Sequence, residues 1–305
     1  NDLKNLTYKT MKNKLNINRR DAIKTMALGS TAMAIPSLNS DSLSSKNEPL
    51  KGNINHSVCQ WCYGNTPIEE LAQEAKKLGL VGIDLIGPEN WNILKKYDLD
   101  STMCNGAELN LVDGFNDVKY HDKLIPRYLE HIDLVAKAGY KNLICFSGNR
   151  RGMDDELGLK NSVKGLKAIL SYAEKRGVVL HMELLNSKVD HSDYMCDNSN
   201  WGVALCKELD SDNFKLLYDI YHMQIMEGDI IHTIEENHKY YGHYHTAGVP
   251  GRNEIDESQE LYYPAIMEAI LKTGFKGVVA QEFIPQNRTN NGFDSLADSI
   301  RRCDV

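Results

Sequence analysis

The chain has no excess of positive charge, no apolar run long enough to span a bilayer and no cysteine framework. Each absence removes a class of function. Lys and Arg number 35 against 42 Asp and Glu, a formal charge of −7. Nucleic-acid binders normally present a basic face, so that class is set aside. The weakly apolar run at 22–34 falls short of the roughly 20 residues needed to cross a membrane, so no stable insertion is expected. The seven cysteines, Cys59, Cys62, Cys104, Cys145, Cys196, Cys206 and Cys303, are odd in number and scattered, unlike a disulfide scaffold. Cys59-Gln-Trp-Cys62 has the spacing of a redox motif or half a zinc site. It lies at the end of a strand with no second pair, which favours a structural role. A G-x-G-x-x-G after the first strand is also missing, against a dinucleotide site.

What is present is ordinary for a soluble globular chain: 42% hydrophobic and 25% charged residues. A length of 305 residues fits two common domains or one α/β barrel of about 250 residues. Near the N-terminus a basic stretch ends in Arg19-Arg20, and the apolar run closes on Ala32-Met33-Ala34. That layout has the three parts of an export signal. It resembles a twin-arginine signal, which implies export of the folded protein to the periplasm. The alternative is an amphipathic helix on a cytoplasmic protein. Residues 39–53 turn to Ser, Asn, Asp and Lys and read as a linker. The division expected is therefore 1–50 for signal and linker, and 51–305 for one catalytic domain.

From residue 54 onward, short β-rich runs alternate with longer helical patterns. Strands are expected at 55–61, 82–86, 102–106, 142–146, 178–184, 214–219, 242–246 and 277–283. The intervening helices are expected at 67–78, 91–96, 122–138, 158–176, 201–209, 229–237, 261–273 and 294–302. Gly79, Gly139, Gly177 and Gly274 close several of these helices. Alternation implies a parallel sheet, and eight repeats fit a closed (β/α)8 TIM barrel.

Barrel enzymes place chemistry at the C-terminal ends of the strands. Strands five to eight each carry a polar residue there: Glu183, Asp219, His245 and Glu282. A carboxylate at the end of an apolar run points into the barrel at a penalty of several kcal/mol, unless it is paired or metal-bound. Three converging carboxylates repel one another, and one divalent ion removes the conflict. Three oxygens and one imidazole suit Mg²⁺ or Mn²⁺ and also accept Zn²⁺ or Co²⁺. Salt bridges to loop cations are the competing explanation for any one of the four. His243 shares parity with His245 and is the rival ligand, whereas His181 lies one layer below Glu183 and reads as a core histidine. His222, three residues beyond Asp219, Asn186, three beyond Glu183, and Arg252 in the loop after strand seven are candidate substrate contacts.

Four segments carry a resemblance to the hydroxypyruvate isomerases. They are Gly242-His-Tyr-His-Thr-Ala-Gly-Val-Pro-Gly-Arg252-Asn-Glu254, Tyr218-Asp-Ile-Tyr-His222-Met-Gln224, Glu183-Leu-Leu-Asn186 and Gln281-Glu-Phe283. The resemblance covers about 54–302 and extends to the xylose isomerase-like barrels, which include ketose 3-epimerases and endonuclease IV. It implies a metal held by Glu183, Asp219, His245 and Glu282, with Glu183 and Glu282 also serving as acid and base. His245 is a departure: hydroxypyruvate isomerases resemble this chain with Gln there, sugar epimerases with His. The export signal is a second departure. The expected reaction moves a carbonyl along a small hydroxy-carbonyl compound or sugar through an enediolate. The principal expectation is hydroxypyruvate to tartronate semialdehyde, the alternatives ketose 3-epimerisation or a non-catalytic carbohydrate-binding barrel. Self-association into a homo-oligomer stays open.

Overall fold

The computed structural model describes residues 49–305; the export-signal reading lies outside the described residues. Eight parallel strands close into a barrel in sequence order. They are β1 (Asn55–Cys59), β2 (Gly82–Ile86), β3 (Asp100–Cys104), β4 (Asn142–Cys145), β5 (Val179–Glu183), β6 (Phe214–Asp219), β7 (Tyr241–Thr246) and β8 (Val278–Gln281). Ile68–Lys77 (α1), Trp91–Lys96 (α2), His121–Ala138 (α3) and Asp155–Arg176 (α4) follow the first four strands. Ser199–Leu209 (α5), Ile220–Met226 (α6), Ile230–Asn237 (α7), Tyr263–Lys272 (α8) and Phe293–Cys303 (α9) complete the outer ring. Among the described residues no helix is long and apolar enough to cross a membrane.

The local reasons are visible in single helices. In α3, Leu124, Tyr128, Ile132 and Val135 are buried, and their spacing of four, four and three lays one apolar stripe against the strands. Helix α4 starts where Asp154 accepts the backbone N–H groups of Glu156 and Leu157, and stops at Gly177 with φ 69°. The acidic cap satisfies orphan donors, and the left-handed turn favours glycine.

Strand β3 lies two residues earlier than expected, β8 ends at Gln281 two residues short, α4 begins three residues earlier, and two further elements differ in kind. Strand β1 ends at Cys59, and Gln60–Tyr63 forms a 3-10 turn, so the C-x-x-C pair straddles a strand end. All seven cysteines are buried free thiols. Helix α6 follows β6 without a loop, because the Asp219 side chain caps it by accepting the His222 N–H at 3.0 Å. Seven residues show too little periodicity to announce a helix.

The lower barrel interior is tightly filled. His181 Nε2 donates to Asn142 Oδ1 at 3.1 Å, and its ring occupies the space beside Gly242 at the start of β7. A Cβ on Gly242 would come within 2.6 Å of His181 Cε1 and 2.8 Å of Lys215 Cβ. Gly242→Ala is therefore expected to destabilise by about 1–3 kcal/mol through overpacking. The check is a lower urea midpoint at unchanged m-value; an unshifted midpoint would show that the interior is looser than described.

Candidate metal centre

Strand register brings the four expected ligands to one height. Asp219 pairs with His245 across β6 and β7, and His245 pairs with Ala280 on β8. Glu282, one residue past β8, donates its backbone N–H to Thr246 O at 2.8 Å. Glu183 closes β5 opposite Leu217. All four side chains are buried, and they offer ligand atoms that lie within 4.8 Å of one another. His245 Nδ1 is 3.0 Å from Glu282 Oε2, 3.3 Å from Glu183 Oε1 and 4.0 Å from Asp219 Oδ2.

The electrostatics show why a cation fits. Burial, reinforced by the charge of Glu282, pushes the carboxyls of Glu183 and Asp219 above their usual range. Burial works against the ionisation of Glu282 as well, but Arg252 and then His245 outweigh it and hold that carboxyl well below its ordinary value. Arg252 Nη2 lies 2.5 Å from Glu282 Oε2 and 3.7 Å from Asp219 Oδ2. Arg252 and the ring of His245, whose charged form its acidic neighbours favour against burial, face these three carboxylates from above and Asp84 from below, so acidic groups outnumber cationic ones in a buried place. Glu183 Oε1 is buried without a hydrogen-bond partner, a rare condition for a carboxylate oxygen. Oxygen-rich donors plus one imidazole match a divalent metal ion.

His245 is oriented from beneath by a residue that sequence reading passed over. Its Nε2 lies 3.1 Å from Asp84 Oδ2, and His243 Nε2 lies 2.5 Å from the same oxygen. Ser57 Oγ donates to Asp84 Oδ1 at 2.7 Å, and Thr102 Oγ1 donates there too. Burial disfavours the charge on Asp84, yet His243 and His245 hold its carboxyl far below the usual range. In this structure Nδ1 also meets a carboxylate, Glu282 Oε2 at 3.0 Å; with Asp84 held on Nε2, Nδ1 is the nitrogen that would give up its proton to take a metal, as metal-bound histidines with a carboxylate on the other nitrogen do. His243, the rival ligand, is instead engaged with Asp84. Cys59 Sγ lies 3.7 Å from His245 Nε2, and burial pushes its thiol well up, so it stays neutral.

The candidate substrate contacts also gather here. Asn186 Nδ2 donates to His222 Nδ1 at 2.6 Å and to Asp190 Oδ2 at 2.7 Å. His222 Nε2 is buried without a hydrogen-bond partner, 3.7 Å from Asp219 Oδ2. Burial and then Arg252 keep this imidazole neutral. Arg252 is stacked 4.9 Å from the Trp61 ring, and its Nε is unpartnered. Trp61 is the second functional neighbour missed in the sequence: its indole N–H donates to Glu282 Oε1 at 2.7 Å. The 3-10 turn of the C-x-x-C segment delivers it. A cavity of about 430 Å³ opens beside the cluster, lined by Glu183, Glu282, Arg252 and Trp61 among others.

Comparison with known proteins places the fold. The family model described as xylose isomerase-like TIM barrel matches residues 62–303. A 2-oxo-tetronate isomerase of Cupriavidus necator is 34% identical over 130 residues, 43% of this chain and 49% of that protein. The chain thus spans about half the length of that relative. A putative hydroxypyruvate isomerase of Homo sapiens is 31% identical over 242 residues, 77% of this chain and 81% of that protein. Among solved structures, an AP endonuclease of family 2 from Brucella melitensis aligns with TM-score 0.71 at 22% identity, over 80% of this chain and 98% of that one. D-psicose 3-epimerase from Clostridium cellulolyticum with D-tagatose aligns with TM-score 0.68 at 17% identity, over 83% and 100%. These two likenesses are of fold. The barrel that presents this buried carboxylate–imidazole cluster belongs to the xylose isomerase-like TIM barrel family.

Proposed function

We propose that the protein is a divalent-metal-dependent isomerase that interconverts a hydroxy-ketone and a hydroxy-aldehyde, with hydroxypyruvate and tartronate semialdehyde as the favoured pair. The observation that carries this reading is the convergence of Glu183 from β5 and Glu282 from β8 on one buried centre at the wall of a cavity. The names of the isomerase relatives support the substrate class.

Glu183, Asp219, His245 and Glu282 would hold the ion. A divalent cation there offsets the negative charge that develops on the substrate oxygens when a carbon-bound proton leaves. Glu183 and Glu282 stand on strands across the barrel, so one takes the proton and the other returns it. Trp61 and Arg252 hold the two oxygens of Glu282 and limit its rotation. Because Asn186 donates to Nδ1 of His222, the hydrogen of that neutral ring sits on Nε2, ready to donate to a substrate oxygen. The free Nε of Arg252 can bind a substrate carboxylate. Mg²⁺ or Mn²⁺ is the proposed ion, given the predominance of carboxylate oxygens.

A ketose 3-epimerase is the second reading, favoured by the imidazole of His245 and by the fold likeness to D-psicose 3-epimerase. Epimerisation returns the proton to the opposite face of the same carbon, and glutamates on two sides of the centre serve that as well. Product analysis by NMR in D₂O separates the two, since isomerisation moves the carbonyl and epimerisation does not.

Chelation with EDTA is expected to abolish turnover, and one equivalent of Mg²⁺ or Mn²⁺ per chain to restore it. Full activity of the stripped protein would remove the metal from the reading. Glu183→Gln and Glu282→Gln are each expected to lower kcat by at least about 100-fold, the scale of general acid–base catalysis. A wild-type protein that binds sugars but exchanges no substrate proton with solvent would be a binding barrel. Asp84→Asn is expected to weaken metal affinity by about 10–100-fold, the usual effect of losing the partner of a ligating histidine; calorimetric titration with Mn²⁺ checks it, and wild-type affinity would show that Asp84 only fills space.

A further inference from the structure

The four ligands have a neighbour whose charge has the sign of the ion. Arg252 Nη2 lies 2.5 Å from Glu282 Oε2 and 3.7 Å from Asp219 Oδ2, so the guanidinium touches one ligand and stands close to a second. Its side chain is only 12% exposed. Unlike an imidazole, a guanidinium keeps its charge even when buried.

The structure holds this charge in place from several sides. The guanidinium lies against two rings, 4.9 Å from that of Trp61 and 5.4 Å from that of Tyr221. Tyr221 is fixed in turn, its hydroxyl donating to Asp190 Oδ2 at 2.9 Å. The backbone is pinned as well. Arg252 N–H donates to Gly248 O at 3.0 Å, and its carbonyl accepts the Ile284 N–H at 2.8 Å. Gly248 N–H donates to Asn253 O at 2.8 Å, which closes the loop on itself. Arg252 takes φ 58° there, a left-handed conformation uncommon outside glycine and concentrated at functional sites.

Two effects of Arg252 on a bound cation oppose each other. By holding Glu282 Oε2 it limits the rotation of a ligand, which favours binding. As a fixed positive charge beside two ligands it repels the ion and shares their negative charge, which disfavours binding. Orientation is the smaller effect. Trp61 independently holds Glu282 Oε1 at 2.7 Å, and the Glu282 backbone N–H is tied to Thr246 O. Charge is the larger effect at a site this buried.

We propose that Arg252 is an electrostatic antagonist of the metal, and that an anion bound to it relieves the antagonism, so that a carboxylate ligand and the divalent ion bind cooperatively through this one side chain. The proposal rests on the metal reading of the four ligands. Arg252 Nε is buried without a hydrogen-bond partner, which leaves a donor for the anion. A carboxylate there offsets the guanidinium charge that the ion meets. By linkage, the ion then raises the affinity for the carboxylate by the same factor.

Binding is the readout, by calorimetric titration of Mn²⁺ into wild type, Arg252→Met and Arg252→Lys. Each is titrated alone, with saturating pyruvate, which lacks the hydroxyl that isomerisation needs, and with pyruvamide, its uncharged counterpart. Arg252→Met is expected to bind Mn²⁺ at least about tenfold more tightly than wild type, and Arg252→Lys to stay within about threefold of it, because a full charge a few ångströms away is removed in one and kept in the other. Pyruvate is expected to tighten Mn²⁺ binding to wild type by at least about fivefold, the lower end of common coupling factors, and to Arg252→Met by less than about twofold. Pyruvamide is expected to leave both unchanged. Three results would each overturn the proposal. They are Mn²⁺ binding to Arg252→Met no tighter than to Arg252→Lys, equal tightening by pyruvate and pyruvamide in wild type, and equal tightening by pyruvate in wild type and Arg252→Met, which direct chelation would give. The second of these needs no variant. Absence of Mn²⁺ binding to all three proteins would instead sink the metal reading, and the proposal with it.

Discussion

Everything at the top of this barrel is arranged around one constraint: three carboxylates and an imidazole share a buried space at the wall of a cavity. Glu183, Asp219, His245 and Glu282 are each at most 4% exposed. Placing like charges together in such surroundings is unfavourable unless positive charge joins them. Arg252 supplies one such charge, resting on Glu282 and near Asp219. The remainder is what a divalent ion would neutralise. The loop after β7 and the turn after β1, which bring Arg252 and Trp61 over Glu282, follow from the same requirement.

The support extends downward through the barrel. Asp84 accepts from Ser57 and Thr102 on one oxygen and faces His243 and His245 on the other. A buried polar network of this kind is favourable only when its members are satisfied. Here it holds the His245 ring by Nε2 and directs Nδ1 at the three carboxylates. The same β2 segment that places Asp84 beneath the centre bulges to place Leu85 beside it. Metal orientation and cavity shape therefore share one piece of backbone.

The fold and the four central residues were legible because both leave periodic marks. Eight short apolar runs alternate with amphipathic ones, and in four of them a charged or imidazole residue interrupts the run at its C-terminal end, where only chemistry or pairing explains it. Asp84 breaks the same rule in Gly82-Ile-Asp-Leu-Ile86, but from the middle of a strand. Its meaning depends on β7 lying across the closed barrel, a contact 159 residues away that no local pattern encodes. Trp61 was hidden by its own neighbours, since Cys59 and Cys62 draw the eye while the working group lies between them. Helix α6 was too short to show a period, and Leu85 gives no hint in sequence of its left-handed backbone, because leucine is seldom found there. His222, Asn186 and Arg252 were found from their place after strand ends, yet the division of labour, with Asn186 setting the His222 ring, needed coordinates.

The central claim is that these four side chains, and no others, form a divalent-metal site. Anomalous diffraction from crystals grown with Mn²⁺ tests it most directly. The account predicts one strong peak within bonding distance of a carboxylate oxygen from each of Glu183, Asp219 and Glu282 and of Nδ1 of His245. A peak on the opposite face of that ring, between Cys59 and Asp84, or no peak inside the barrel at all, would contradict it.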